Sequence, residues 1–343
     1  MRPVRSLVGW PEAVTMALLA LWVAWSVSTA VRSDWGWGPA LPYVLCPVAL
    51  AAGVAAGVAL RARADSPALR IALLVVGAAL VLGVALVREP GKAPLGYPNA
   101  NAAAAVQVLA LAGLALLSTP TGRRRALVAT GTLCLAAIAL NRSAAGVVVA
   151  VPVCLVVAVA VWRRPWHRGW SALAVVVGAS TAVMAAVLIV RAAQATTFPD
   201  WAETAFDPVR EQLWHDAVSL WRVHPVAGSG PGAFSDATAL SPDPDTMSAH
   251  SSVLQVGAET GWVGVALLAL VGLAGLLWAA RGRAAEAVIA CAAWTALLVH
   301  STADHLIEFG TVVVLAGAVL GWAGASRTSE QLDVAQGEGP LAR

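Results

Sequence analysis

The side chains best suited to chemistry lie in one polar segment, from about residue 193 to residue 252, in a chain that is otherwise strongly apolar. This segment contains Arg210, Trp214 and His250 and is rich in glycine. The pKa of an imidazole lies near physiological pH, so a neutral histidine at the mouth of a cavity suits general-base catalysis. We therefore expect the chemistry of this protein to be located in segment 193–252.

The first half of this segment predicts a helix that carries Arg210. An Asp207–Pro208 pair is typical of a helix start, and Pro225 would end the helix. The apolar residues that recur at helical spacing between these points are Val209, Leu213, Leu220 and Trp221. The pattern predicts an amphipathic helix on the outer membrane surface. Trp214 would anchor it at the interface, and Arg210 could face lipid head groups or a polar cavity.

The second half contains a glycine-rich turn and the start of another helix. Gly228, Gly230 and Gly232 alternate with other residues, which permits tight turns and close backbone approach. Such a turn could offer N–H groups to a phosphate, but a plain connection between helices is an equal alternative. Ser248 is a candidate N-cap, which would place His250 in the first helical turn, where the helix dipole disfavours the imidazolium form.

Two further groups of polar residues border the apolar stretches. Arg142 lies in the short turn LNRSAAG between two apolar stretches. An ionisable residue held this close to hydrocarbon usually faces a cavity or a partner, although snorkelling to head groups is the alternative. The second group consists of His300, Asp304, His305 and Glu308. At i, i+4 spacing His300 and Asp304 could share a helix face, as could Asp304 and Glu308. It could bind zinc, but a polar rim of the same cavity is the favoured interpretation.

The composition is that of a polytopic membrane protein. Of the 343 residues, 59% are hydrophobic and only 12% are charged, and a helix needs about 20 apolar residues to cross a bilayer. Ten stretches meet this requirement approximately: 12–31, 39–60, 68–87, 98–118, 125–141, 144–162, 170–192, 260–280, 284–302 and 309–325. We expect an all-α bundle in which residues 1–325 form one transmembrane domain and residues 326–343 form a disordered cytoplasmic tail.

The basic residues predict the orientation, because Lys and Arg resist translocation. With the N-terminus inside, 15 of the 22 Lys and Arg residues fall on inner segments. Both termini are therefore expected in the cytoplasm, and segment 193–252 outside. The net charge of +3 does not indicate a nucleic-acid partner. The four cysteines lie in apolar stretches without metal-ligand spacing, so no metal site is predicted from them.

Three stretches together resemble the O-antigen ligase/polymerase family, membrane glycan transferases with a Wzy-C type domain. They are YPNANAAA at 97–104, REQLWHDAVSLWRVHPVAGSGPGAF at 210–234 and HSSVLQVGAETGWVG at 250–264. The resemblance covers roughly residues 85–325. It implies a helix bundle related to GT-C glycosyltransferases in a bacterial plasma membrane. The implied donor is a glycan on an undecaprenyl-diphosphate-type carrier, and the acceptor is a glycan or lipid on the outer face. Neither a metal ion nor a cofactor is implied.

The resemblance also implies roles for single residues. His250 matches the family histidine thought to activate the acceptor hydroxyl, and Arg210 matches an arginine that engages the donor diphosphate; Arg142 completes the expected catalytic set. The residues expected to bind substrate are Arg88, Glu259, Trp214 and Asn99. For Glu259, orienting a base or a sugar and a capping or packing role are equal alternatives.

A second function class remains open at this point. A transporter or flippase of a lipid-linked glycan, or of another anionic substrate, could use the same arginines. Transporters commonly show internal repeats and broken helices at mid-membrane depth. This chain shows no obvious repeat and concentrates its polar residues on one face, which favours an enzyme. The residues do not distinguish a ligase from a polymerase.

Overall fold

A computed structural model describes residues 10–33, 35–86, 94–162, 166–238, 240 and 246–335. All regular structure in these ranges is helical. The α-helices, in chain order, are α1 (Trp10–Val31), α2 (Leu41–Arg61), α3 (Pro67–Leu86), α4 (Pro98–Ser118), α5 (Arg125–Leu140), α6 (Ala144–Trp162), α7 (Gly169–Gln194), α8 (Asp200–Ala205), α9 (Pro208–Val223), α10 (Ala233–Ala237), α11 (Ser252–Ala279), α12 (Ala284–Thr302) and α13 (Gly310–Ala335). Short 3-10 helices occupy Thr121–Arg123 and Leu306–Glu308.

The helices confirm the expected polytopic bundle. Eight of those described are long and apolar enough to cross a membrane, and Arg125–Leu140 and Gly310–Ala325 are shorter apolar helices. Together they coincide with the ten stretches expected from the sequence. Helix α11 begins at Ser252 and continues through the expected stretch 260–280, with a break at Gly261.

Helix α13 continues into the segment expected to form a disordered tail, residues 326–343. Its backbone is helical to Ala335. The sequence here, SEQLDVA, contains good helix formers, so an existing helix can be extended at little cost. Residues 336–343 lie outside the described residues.

The described chain divides into two compact units. The first consists of Met1–Pro47, Ala186–Ala274 and Thr302–Glu308. The second consists of Val48–Ala185, Gly275–Ser301 and Phe309–Arg343. The polar segment that contains Arg210 and His250 belongs to the first unit.

Helix α4 forms the centre of the second unit. Its residues from Ala100 to Ala115 are buried throughout, and many of them are alanine. Small side chains let neighbouring helices approach closely, which is how helices associate in a membrane. The buried amide of Gln107 donates from Nε2 to the carbonyl oxygen of Ala293 at 3.0 Å. A polar side chain in the middle of the bundle is thereby satisfied within the unit.

In the first unit, α11 is broken at Gly261, which has φ 68° and ψ −168°. Only glycine adopts this conformation readily. The break separates N–H and C=O groups that would otherwise bond i to i−4, and the loop after α9 satisfies them. The loop amides of Ser229 and Gly230 donate to the carbonyls of Ala258 and Glu259, at 3.0 and 2.9 Å.

The reverse pair of bonds closes the same contact. The amides of Trp262 and Val263 donate to the carbonyls of Pro225 and Val226, at 2.8 and 3.4 Å. The glycine-rich turn and the broken helix therefore form one hydrogen-bonded structure. This contact fixes the end of α9 against the middle of α11, and these two helices position the candidate site.

Candidate functional site

The carboxylate of Asp304 joins the principal side chains expected from the sequence. Asp304 is 0% exposed. Its Oδ1 lies 3.6 Å from Nδ1 of His250 and 2.9 Å from Nδ1 of His305. Its Oδ2 lies 3.7 Å from Nη2 of Arg210. The structure thus brings Arg210 and His250 to one buried carboxylate. The sequence had predicted Asp304 only as part of a polar rim of the cavity.

Arg210 is held by the start of α9. The Asp207 side chain accepts from the amide of Arg210 at 2.9 Å, which confirms the expected N-cap. The guanidinium donates from Nη1 to the carbonyl oxygen of Ala303 at 2.6 Å, and its Nε lies 3.7 Å from Oδ2 of Asp207. A guanidinium with this many fixed contacts loses little further freedom when it binds an anion.

His250 immediately precedes α11 and does not lie in its first turn. The cap is Ser251 rather than Ser248, because the Ser251 hydroxyl accepts from the amide of Leu254 at 3.4 Å. The backbone then turns to bring His250 against Asp304. The amide and hydroxyl of Ser252 both donate to the carbonyl oxygen of Asp304, at 2.8 and 3.0 Å. The histidine and the aspartate are therefore held together by backbone as well as by side chains.

Two candidate residues have left-handed backbone conformations. Within the described ranges, the non-glycine residues with positive φ are Arg142, at 53°, and His250, at 46°. A side chain with a Cβ is disfavoured there, and such strain is concentrated at functional sites. The sequence had selected both residues on chemical grounds, so the backbone supplies independent support for each.

Asn99 helps to hold the turn that presents Arg142. The Ser143 hydroxyl donates to Oδ1 of Asn99 at 2.6 Å. The side chain of Asn101 donates from Nδ2 to Oδ1 of Asn141 at 3.1 Å. Asn141 and Ser143 are buried, whereas Arg142 between them is exposed. These bonds explain why asparagines are needed at the start of α4, a reason that the local pattern did not reveal.

The carboxylate of Glu259 is surrounded by protein donors. Its Oε2 accepts from the Tyr43 hydroxyl at 2.6 Å. Its Oε1 accepts from the amides of Gly232 and Phe234, at 3.0 and 3.4 Å, and from Nε2 of Gln255 at 2.9 Å. These contacts favour a packing role for Glu259, one of the two alternatives that the sequence left open. They also occupy amides of the glycine-rich turn, so those amides are bonded to protein rather than free for a phosphate.

Gln255 extends this network to the residue before His250. Its Oε1 accepts from the amide of Ala249 at 2.7 Å. Gln255 and Glu259 are four residues apart, on one face of α11, as their direct bond requires. The spacing of His250, Gln255 and Glu259 therefore has a structural reason: the two polar side chains fix the backbone on which the histidine sits.

Trp214 is a core residue and not an interfacial anchor. It is 0% exposed, and its ring packs against Phe198 and Phe206 at centroid distances of 5.6 and 4.8 Å. The buried face of α9 consists of Leu213, Trp214, Ala217, Val218 and Trp221. The apolar stripe thus faces the protein core rather than a membrane surface, since the same periodicity serves either environment.

Arg88 lies outside the described residues. His300 is buried in α12 and belongs to the second unit, whereas Asp304, His305 and Glu308 belong to the first.

The groups around Asp304 determine the pKa of its carboxyl group. Burial by itself raises the pKa of Asp304, but hydrogen bonds from His250 and His305 and the charges of His305 and Arg210 hold it well below its usual range. Burial lowers the pKa of His305. Its hydrogen bond to Asp304 and the charges of Glu308 and Asp304 raise the pKa by more than burial lowers it, so the net shift is upward. Burial raises the pKa of Glu308.

The side chains of His250, Asp304 and His305 lie close enough together to bind one metal ion. Single ligand atoms of His250, Asp304 and His305 lie within 4.8 Å of one another, and imidazole with carboxylate suits zinc. Against this, the Arg210 guanidinium already approaches the carboxylate at 3.7 Å. A positive charge there competes with any cation for Asp304.

The O-antigen ligase family model matches residues 129–269. This stretch of the chain is similar to O-antigen ligases. It includes Arg142, Arg210 and His250, and it ends before Asp304 and His305. No curated protein matches the chain. The similarity and the apolar helices support a multi-pass membrane protein with an O-antigen ligase-like function in glycan transfer.

The Asp304–His305 pair predicts how stability varies with pH. The pKa of Asp304 is lowered on folding, so its contribution is present above about pH 4 and is lost as pH falls further. The pKa of His305 is raised, so its contribution is complete below about pH 6.5 and is lost as pH rises through the raised value. We therefore expect His305→Asn to lose the most stability between about pH 4 and pH 6.5. Thermal unfolding of the purified protein at a series of pH values measures this loss.

The matched control is His224→Asn, since His224 is exposed at the end of α9. We expect no such pH-dependent difference for this variant. A His305→Asn deficit that stays constant, or grows, between about pH 6 and pH 9 would contradict the ion pair.

Proposed function

We propose that the protein transfers a glycan from a lipid diphosphate carrier to an acceptor hydroxyl, as O-antigen ligases and related polymerases do. The observation that carries the proposal is that His250 and Arg210 both contact the buried carboxylate of Asp304, at 3.6 and 3.7 Å. A histidine and an arginine beside the same carboxylate match the two charges that develop in such a transfer.

In the proposed reaction the acceptor oxygen attacks the anomeric carbon of the donor sugar. The bond between that carbon and the diphosphate oxygen breaks, and the electron pair leaves with the diphosphate. The acceptor hydroxyl proton passes to His250. Asp304 orients the imidazole and stabilises the imidazolium that forms, as the carboxylate does in other carboxylate–histidine pairs.

Arg210 supplies positive charge to the leaving diphosphate. Its guanidinium is permanently charged, binds phosphate oxygens through paired donors, and is fixed in place by Ala303 and Asp207. Arg142, exposed on a strained turn of the second unit, is proposed separately as a phosphate ligand. With a guanidinium in this role, the reaction needs no divalent metal to stabilise the leaving group.

The distribution of basic residues supports the proposed orientation. Both termini are cytoplasmic and the reaction takes place on the extracytoplasmic face. The donor is a glycan on an undecaprenyl-diphosphate-type carrier. The acceptor is a further glycan or a lipid, and the residues favour neither.

Transport of a lipid-linked glycan is the competing function. A transporter must move its binding residues between two arrangements. Here Arg210, His250 and the segment around Asp304 are joined by side-chain contacts and by the backbone bonds of Ser252. A rigid, strained and charge-paired site favours catalysis, because catalytic groups benefit from being held in one geometry.

Replacing His250 by Ala tests the base directly. We expect the rate of glycan transfer to fall about 100-fold to 10,000-fold. Donor binding should remain, because the arginines are intact. The measurement is single-turnover transfer from a radiolabelled lipid-linked glycan by the purified protein in vesicles, with translocation of the label followed in the same preparation.

His224→Ala is the matched control, because this exposed histidine at the end of α9 makes no contact in the site. It should transfer at the wild-type rate. Undiminished transfer by His250→Ala would remove the proposed mechanism. Translocation of the labelled lipid without product would instead support the transporter.

Metal removal tests the role of the arginines. We expect transfer to continue at the untreated rate in excess EDTA, because positive charge at the diphosphate comes from guanidinium groups. The measurement compares chelated, untreated and metal-restored protein in the same assay. Loss of transfer in EDTA, with recovery on adding zinc or magnesium, would place a metal in the reaction and draw His250, Asp304 and His305 into its coordination.

A further inference from the structure

Three side chains of the candidate site have the chemistry and the spacing of a zinc site. His250, Asp304 and His305 all belong to the first unit, and single ligand atoms of the three lie within 4.8 Å of one another. Two imidazoles and one carboxylate are a ligand set that zinc uses in proteins with a fourth position left open. The proposed transfer assigns roles to His250 and Asp304 but none to His305.

The distances are close to those around a tetrahedral ion. With bonds of about 2.0–2.2 Å, two ligand atoms of such an ion lie about 3.3 Å apart, and two bound imidazoles have ring centres about 5 Å apart. Oδ1 of Asp304 lies 3.6 Å from Nδ1 of His250 and 2.9 Å from Nδ1 of His305. The two imidazole rings are 4.8 Å apart between centroids, at an angle of 84°. Small side-chain rotations therefore suffice to place the three ligand atoms around one ion.

The backbone fixes the positions of the three ligands. Asp304 and His305 are adjacent in the chain, and the amide of His305 donates to Oδ1 of Asp304 at 2.8 Å. The amide and hydroxyl of Ser252 donate to the carbonyl oxygen of Asp304, which ties this residue to the segment that follows His250. Ligands that are held in place lose little conformational freedom when an ion binds.

The three ligands are accessible through the histidines. The side chains of His250 and His305 are 12% and 14% exposed, whereas that of Asp304 is 1% exposed. The charged groups that face them are Arg210, whose Nη2 lies 3.7 Å from Oδ2 of Asp304, and Glu308, which interacts electrostatically with both histidines. The carboxylate of Glu308 favours a bound cation and the guanidinium of Arg210 opposes one. Arg210 therefore lowers the affinity of the site for a metal ion.

A metal ion on Nδ1 would prevent His250 from acting as a base. In the proposed transfer, Nδ1 carries the proton that faces Asp304, and the lone pair of Nε2 accepts the proton of the acceptor hydroxyl. An ion that takes the lone pair of Nδ1 displaces the proton of that nitrogen to Nε2. The imidazole remains neutral, but its second nitrogen no longer has a lone pair with which to accept a proton.

We infer that His250, Asp304 and His305 form an inhibitory zinc site, at which a bound ion blocks glycan transfer. The inhibition rests on the proposed function, which gives His250 its role, whereas binding of the ion rests on the three ligands alone. Zinc is the expected ion, because magnesium and calcium prefer ligand sets made of oxygen. Removal of the ion restores the base, so the site is a reversible switch.

Titrations of the purified, metal-free, full-length protein with Zn²⁺ and Co²⁺ test the ligand set. Calorimetry measures the affinity for Zn²⁺, and the visible absorption of bound Co²⁺ reports tetrahedral coordination. We expect His305→Asn to weaken zinc binding at least about tenfold, because it removes one of three protein ligands. Arg210→Gln should tighten zinc binding at least about threefold, because the competing charge is removed. Misfolding does not produce a gain in affinity of this kind.

His224→Asn is the matched control, since this exposed histidine is not one of the three ligands. It should bind zinc within about twofold of wild type. Equal affinities of wild type, His305→Asn and Arg210→Gln would overturn the site.

The transfer assay tests the inhibition. Saturating Zn²⁺ should lower the single-turnover transfer rate of the wild type at least about tenfold, because the base is blocked. Excess EDTA should restore the rate, and Mg²⁺ at the same concentration should leave it unchanged. Bound zinc that leaves the rate unchanged, or raises it, would overturn the inference. If the metal-free protein transfers no glycan, the proposed function fails, while zinc affinity that depends on His305 and Arg210 still supports the site.

Discussion

Everything in the first unit that concerns chemistry depends on the burial of one carboxylate, that of Asp304. Removing a charged group from water is costly unless it is paired and hydrogen-bonded. Here the partners are His250, His305 and Arg210, at 2.9–3.7 Å. These residues come from three separate parts of the chain. The need to satisfy one buried charge therefore also assembles the side chains proposed to carry out the transfer.

The surrounding structure serves to hold these partners at fixed positions. On one side, the N-cap of α9 and the carbonyl of Ala303 fix Arg210. On the other, Ser251 and Ser252 fix the start of α11, and Gln255 fixes the amide before His250. The left-handed conformation of His250 is maintained by these contacts, since an unsupported residue would relax out of it. Such over-determination is typical of an enzyme site rather than of a moving transport site.

Features that depend on local pattern were predictable from the sequence, and features that depend on distant partners were not. The apolar stretches, the helix beginning after Asp207 and the proposed roles of Arg210 and His250 all follow from periodicity, capping chemistry and resemblance. The contact of Asp304 with His250 does not, because Asp304 lies 54 residues after His250 and only folding brings the two together. Trp214 shows the related ambiguity: an amphipathic stripe fits a protein core as well as a membrane surface.

The most direct test of the account is the transfer rate of Asp304→Asn, measured with the purified protein and a lipid-linked glycan donor. Asparagine preserves the shape of the side chain but removes the charge that His250, His305 and Arg210 share. The account predicts a fall of at least about 100-fold in transfer, with donor binding largely retained. A variant that folds and transfers at the wild-type rate would contradict it, because Asp304 would then position nothing that the reaction requires.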